Sequence, residues 1–378
     1  MPWTAMSEPE LRLEFVMLAA AGGLDFRALC GRFGISVKTG CKWRSRFAAQ
    51  GAAGLAERSR RPHGSPSRTP AAVEAAVMAL RAAHPAWGGR KIAHVLTREA
   101  GAAPSPSTVT AVLRRNGAEL GAFGGGAPPF TRFERGAPND LWQMDFKGHV
   151  PMLRGRLHPL NVIDDHSRFS VVLAACADER TGTVMACLAA AFRRYGLPLC
   201  IMSDNGPPWG DGPGSPFTKL GVALIDQGIA IGHSRPYHPQ TNGKAERFHR
   251  SLKAEAMSGP PFADLACAQR ALAAWRDTYN TRRPHEGIGM AVPAQRYSPS
   301  PRRYTEKVGP FDYAPGDAVL KVQQSGAFRH AGGLSRVSKA FKGKWIALRP
   351  TDRDGVHQAY YRHQKIADID IRPKTGET

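Results

Sequence analysis

The chain has 378 residues, with 52 Lys and Arg against 31 Asp and Glu, a formal net charge of +21. That length accommodates two to four domains, and the charge makes nucleic acid the leading partner. Six scattered cysteines without a C-x-x-C pair exclude an ordinary zinc ribbon and a disulfide framework; no apolar run spans a bilayer and the start lacks a basic leader, so a reduced cytoplasmic protein without a membrane partner is expected.

The charge is unevenly placed. Residues 1–138 carry 19 Lys/Arg against 9 Asp/Glu, residues 139–281 carry 15 against 13, and residues 282–378 carry 18 against 9. Basic flanks around a nearly neutral middle suit a polyanion gripped on both sides of an acidic site.

Residues 8–50 read as three helices. Leu11, Phe15, Leu18 and Ala19 keep a helical period that ends at Gly22-Gly23. Asp25 caps a short helix over Phe26–Arg32, Gly34-Ile35 turns, and Ser36 caps a third helix through Phe47. This is a helix-turn-helix pattern (residues 1–57), with Val37, Cys41 and Trp43 facing inward and Lys38, Thr39, Lys42, Arg44 and Arg46 facing DNA. A structural three-helix bundle is the plainer alternative. The linker 58–70, with Arg58, Arg60 and Arg61, is too polar for a core but suits phosphates or a minor groove.

Ala71–Ala83, Gly89–Glu99 and Ser107–Arg115 form a second helical DNA-binding candidate (71–117), with Arg90 and Lys91 as backbone contacts. A Gly/Pro-rich linker (118–138) follows. From residue 139 to 298 the period changes. Leu141–Phe146, Leu157–Ile163, Ser170–Ala175, Pro198–Met202 and Ile229–His233 read as strands, and Thr183–Tyr195, a stretch opening at His238, and Pro260–Asn280 as helices. Consecutive strands followed by alternating helices and strands predict a mixed sheet with helices on its faces. The tail, 299–378, reads as short strands over Ala318–Val322, Phe341–Leu348, Val356–Tyr361 and Gln364–Ile371, a small all-β barrel.

The helix after His238 places Asn242, Glu246, His249, Arg250 and Lys253 on one face and Phe248, Leu252 and Ala256 on another. By itself this is most simply a surface helix laced with ion pairs. Glu246 needs acidic partners, and two stand upstream: Asp145 within the first strand and Asp204 just after Cys200-Ile-Met-Ser203. Three carboxylates converging at one sheet edge repel unless cations neutralise them, and hard oxygen ligands suit Mg²⁺ or Mn²⁺. Two such ions roughly 4 Å apart serve phosphoryl transfer. Asp164 and Asp165 compete as ligands, although Asp-Asp-His-Ser is ordinary turn chemistry. No cysteine shares a motif with a histidine, and Gly210–Gly214 lacks the Lys-Ser/Thr of a phosphate loop.

Trp142-Gln-Met-Asp-Phe-Lys-Gly148, Ser203-Asp-Asn-Gly-Pro-Pro-Trp209 and His238-Pro-Gln-Thr-Asn-Gly-Lys-Ala-Glu-Arg-Phe-His-Arg250 together resemble the signatures of bacterial insertion-sequence transposases with the integrase (DDE) core. The likeness extends to Gly54–His63, His84–Lys91 and Leu348–Asp352. It implies a ribonuclease-H-like core and an Asp145/Asp204/Glu246 triad holding two Mg²⁺ or Mn²⁺ ions. It implies DNA cleavage and strand transfer at terminal inverted repeats and target DNA, by at least a homodimer in a bacterial, nucleoid-associated setting. Asn242, Lys244, His249, Arg250 and Lys253 would orient phosphates, with Lys147 a further candidate. Asp204 and Glu246 lie 42 positions apart, longer than in retroviral integrases, and the Pro207–Phe217 loop accounts for the difference. The alternatives are a catalytically silent repressor and a nuclease that cuts without joining.

Overall fold

The computed structural model describes residues 7–58, 68–118, 134–210, 217–233 and 243–372. The chain divides into two compact units, residues 1–68 and 69–378.

In the first unit, α1 (Glu8–Ala21), α2 (Phe26–Arg32) and α3 (Val37–Gln50) surround Phe15, Val16, Leu29, Cys30, Trp43 and Leu55. The caps follow local chemistry: Asp25 accepts from the Ala28 amide at 2.9 Å and Ser36 from the Thr39 amide at 3.2 Å. The face that α3 buries differs from expectation. Trp43 points inward as expected, but Val37 and Cys41 are exposed and Gly40 takes a buried place. The reason is close approach: a Cβ at Gly40 would stand 2.6 Å from Cys30 Sγ and 2.9 Å from Phe15 Cζ. Gly40 therefore lets α3 approach Phe15 of α1 and Cys30 of α2 closely.

The second unit begins with α4 (Ala71–Ala83), α5 (Gly89–Ala100) and α6 (Pro106–Arg115), packed around Trp87, Ile92, Val95, Val109 and Leu113. The core sheet comprises β1 (Trp142–Phe146), β2 (Val150–Pro151), β3 (Arg156–Asp164), β4 (Ser170–Cys176), β5 (Cys200–Ser203) and β6 (Ala230–His233). Strands run β4-β3-β1-β5-β6, antiparallel across β4, β3 and β1 and parallel onward to β6, with β2 pairing the start of β3. This is the mixed sheet that the sequence predicts.

Both sheet faces are covered. Trp142, Met144, Leu160, Val162 and Ile201 pack under α7 (Thr181–Tyr195) and α8 (Lys219–Asp226). On the other face Ile163 and Leu173 meet α9 (Gly243–Ala256) and α10 (Leu265–Thr281) through Phe248, Leu252, Leu272, Trp275 and Tyr279. α10 begins at Leu265 rather than Pro260, because Asp264 caps it by accepting from the Cys267 amide at 2.8 Å.

The tail departs from the expected closed barrel. Among the described residues it is an open four-stranded antiparallel sheet, β7 (Ala318–Lys321), β10 (Trp345–Pro350), β11 (Val356–Tyr361) and β12 (Gln364–Asp370), ordered β12-β11-β10-β7. A separate hairpin joins β8 (Ala327–His330) to β9 (Gly333–Arg336). Closure is unnecessary because the inner face is covered from outside: Phe217, Val222 and Ile225 join the core formed by Phe328, Phe341, Ile346 and Leu348. Asp226, at the end of α8, accepts from Tyr361 Oη at 2.5 Å, Arg362 Nε at 2.9 Å and Lys344 Nζ at 2.8 Å.

Gly40→Ala is expected to destabilise the first unit by about 1–3 kcal/mol through overpacking. Chemical denaturation of this variant against Gly31→Ala, where an added Cβ meets nothing within 4 Å, checks it.

Candidate active site

Alternation along β1 turns Trp142 and Met144 toward α7 and sends Gln143 and Asp145 to the face that carries α9. Parallel pairing sets Trp142 opposite Ile201 and Gln143 opposite Met202. The paired stretch ends there; Asp145 lies near the end of β1 and Asp204 directly follows β5, so both carboxylates stand toward the same end of two adjacent parallel strands. Asp204 Oδ1 accepts from the Gly206 amide at 3.1 Å, and its carbonyl is 2.9 Å from His233 Nδ1. Burial raises the Asp204 pKa above the usual carboxylate range, opposed by the Gly206 bond and His233 and assisted by Glu179.

α9 crosses this face through His249. Its Nε2–H donates to Asn161 Oδ1, and its Nδ1 stands 4.0 Å from Asp145 Oδ2. Asn161 is the residue opposite Asp145 on β3. Burial, with the Lys147 cation, lowers the His249 pKa to about 4, so the ring is neutral at pH 7. It is an acceptor or a neutral donor there, not the phosphate-binding cation its place in a basic stretch suggests. Glu246 lies one turn earlier and is exposed. Among the described residues, no three His, Cys, Asp or Glu stand close enough together to hold a metal ion. Asp145 and Asp204, at the same end of adjacent parallel strands, suit a divalent cation by donor chemistry, whereas Glu246 is not gathered to them.

The remaining sequence candidates separate into two groups. Arg250 and Lys253 are exposed on α9, and Lys253, after burial, is the second cause of a lowered Lys147 pKa, which puts Lys253 near Lys147, two residues after Asp145. Lys244 is turned inward to an ion pair with Asp165, and burial lowers its pKa despite that partner. Asn242, Arg60 and Arg61 lie outside the described residues. On α3, Lys38, Lys42 and Arg44 are exposed, with Lys42 Nζ 4.0 Å from the Trp43 ring centroid and Arg44 4.6 Å from that of Phe26. Arg46 is half-buried 5.1 Å from the Trp43 ring, and Thr39 Oγ1 is 2.9 Å from Ser36 Oγ. Arg58 donates to Gln50 Oε1 at 2.9 Å. Arg90 is exposed, 3.7 Å from Glu286, whereas Lys91 is half-buried near Arg283, Glu255 and Glu286.

Asp164 and Asp165 are fully buried and saturated as acceptors. Asp164 receives the Asn139 amide at 2.7 Å and the Ser167 amide and hydroxyl at 2.8 and 2.5 Å. Asp165 receives the Arg135 amide and Gln143 Nε2, each at 2.9 Å, as well as Lys244. They are structural acceptors, not open metal ligands. Gln143, Asn161 and His233 are site residues that sequence reasoning missed. Asn161 left one signal, a lone polar residue inside the apolar run Pro159-Leu-Asn-Val-Ile163.

Known proteins share this organisation. Integrase core domain models match residues 135–239 and 227–293. A Helix-turn-helix domain model matches residues 11–63, a Homeodomain-like domain model residues 39–113, and the IS481 family transposase, C-terminal domain model residues 317–377. The insertion element IS476 39.2 kDa protein of Xanthomonas euvesicatoria is 34% identical over 42% of this chain and 44% of its own length. The insertion element IS407 31.7 kDa protein of Burkholderia multivorans is 28% identical over 42% of this chain and 56% of its own. A putative transposase for insertion sequence element IS5376 of Geobacillus stearothermophilus is 25% identical over 63% of this chain and 60% of its own. The chain spans about half the length of these curated relatives.

Burial lowers the Lys91 pKa from 10.5 to about 8, with Arg283 the next cause. Between those values the unfolded chain binds the extra proton, so stability rises with pH across that window and the penalty is complete below pH 8. Lys91→Met is therefore expected to stabilise the protein by roughly 1–3 kcal/mol at pH 7. The advantage should shrink toward pH 10.5, as read from paired thermal melts.

Proposed function

We propose that this chain, which its family matches identify as a bacterial insertion-sequence transposase with an integrase core, cleaves DNA at element ends and joins the freed ends to target DNA. The observation that carries the reading is that Asp145, near the end of β1, and Asp204, directly after the adjacent parallel β5, stand at the same end of the sheet, where α9, the helix that bears Glu246, packs through His249. Divalent Mg²⁺ or Mn²⁺, held by Asp145 and Asp204 with Glu246 completing the set, would supply Lewis-acid polarisation of the phosphate and a more acidic water.

The chain's own residues do the rest. Lys147, Arg250 and Lys253 bind phosphate oxygens and align the scissile phosphodiester with the carboxylate pair. His249, neutral and fixed by Asn161, fills the wall beside Asp145 without adding positive charge. In the first step water attacks phosphorus and the 3′ oxygen departs as a hydroxyl. In the second that hydroxyl attacks a target phosphodiester, so one P–O bond forms as another breaks.

Recognition of terminal inverted repeats belongs to the first helix-turn-helix, through the exposed Lys38, Lys42 and Arg44 of α3. The tail holds the DNA backbone. Its outer face carries Lys321 5.7 Å from the ring centroid of the exposed Trp345, and Arg349 4.3 Å from that of Tyr360. Two ends must meet for joining, so the active assembly is at least a homodimer.

Labelled DNA carrying the native element end tests this, incubated with wild type or Glu246→Gln and with Mg²⁺ or EDTA. Joined products should appear only with wild type and metal, Glu246→Gln losing roughly 100-fold or more while its melting temperature and DNA affinity hold. Cleavage without joining would establish a nuclease instead. Specific binding with neither reaction under any divalent metal would establish a repressor.

A further inference from the structure

Among the described residues, the buried carboxylate of Asp165 bonds to both the strand that carries Asp145 and the helix that carries Glu246. Asp165 is fully buried, and its Oδ1 accepts from Gln143 Nε2 at 2.9 Å and from Lys244 Nζ. Gln143 is two residues before Asp145 on β1, and Lys244 is two residues before Glu246 on α9. The other oxygen accepts from the Arg135 amide at 2.9 Å, and the Asp165 amide donates to the Leu141 carbonyl at 2.9 Å. Lys244 Nζ also lies 3.3 Å from the Asp165 carbonyl, so the ammonium is held by two oxygens of one residue.

We infer that Asp165 and Lys244 are positioning residues, a buried latch that sets the first turn of α9 against β1 and thereby fixes where Glu246 leaves its helix relative to Asp145. Resting on the function proposed above, this assigns Lys244 a role other than a DNA contact. The geometry explains why two points are needed. Strand residues two apart share a face, so tethering Gln143 fixes the level of Asp145. Helix residues two apart lie on nearly opposite sides, so turning Lys244 inward rotates Glu246 outward, where DNA and a cation would meet it. Downstream, α9 is held by Phe248 and Leu252 and by Glu255, which pairs with Arg283 at 2.8 Å. The latch is what acts on its first turn.

Removing only Lys244 would leave buried Asp165 charged without its ion-pair partner, held by the Arg135 amide, Gln143 and the field of Arg168, so the informative variant is Asp165→Asn combined with Lys244→Met, which removes both charges and keeps an acceptor for Gln143. Wild type, this double variant and Lys244→Arg would be compared by Mn²⁺ titration calorimetry without DNA, by joining kinetics, by end-DNA affinity across salt and by melting temperature. The double variant should bind Mn²⁺ about tenfold more weakly and join with a kcat about tenfold lower. Its DNA affinity, KM and salt dependence should hold, and Lys244→Arg should restore both losses. A double variant with wild-type Mn²⁺ affinity and kcat would overturn the latch. So would one that loses only DNA affinity with a shallower salt slope, or one whose losses merely follow a lowered melting temperature. If wild type itself bound no Mn²⁺ and joined no ends, the functional reading would fall and the latch with it.

Discussion

A sheet covered on both faces leaves no water for its polar side chains, and that constraint governs the organisation of the core. Gln143, Asn161, Asp164 and Asp165 are buried, and each makes at least one bond to another element, although Gln143 Oε1 and Asn161 Nδ2 find no hydrogen-bond partner among the described residues. An unpartnered buried amide or carboxylate would cost several kcal/mol. These residues therefore dictate which helices and loops approach the sheet, and where. α9 is the main consequence: apolar contacts hold its length, while polar bonds from Lys244 and His249 set its position over β1.

Peripheral segments attach to this core by a similar mixture. Phe217, Val222 and Ile225 make the tail sheet and α8 share one apolar interior, and Asp226 gathers a tyrosine, a lysine and an arginine from the tail. α5 meets the core through Arg282, whose Nε and Nη2 each lie 3.1 Å from a carboxylate oxygen of Glu99. A domain held by apolar burial and a multiply bonded carboxylate is fixed more firmly than one held by surface ion pairs.

Legibility in the sequence followed the range of the signal. The helices of residues 8–50, with Asp25 and Ser36 as caps, depend on contacts within one turn and were readable, as were the central strands. α8 was missed because it is short and sits between two cores, Leu220 and Leu224 facing one and Val222 and Ile225 the other, so it reads as a brief apolar run that periodicity cannot tell from a strand. The inward face of α3 was misjudged because Gly40 buries nothing itself yet lets Phe15 and Cys30 approach. Barrel closure was misjudged because a strand pattern says nothing about whether another domain covers its inner face.

The sequence by itself determined the ordered acidic motifs, the helical and strand periods, and the basic flanks around a neutral middle. Those depend on residue identity and spacing alone. Only the tertiary structure decided that Asp145 and Asp204 stand at the same end of adjacent parallel strands, that Asp164 and Asp165 are buried acceptors, and that Lys244 is turned inward. A charged side chain near an acidic motif can face DNA, solvent or a buried partner with the same spacing. Which one it meets depends on strand register and helix rotation, set by residues distant in the chain such as Asn161 and Gln143.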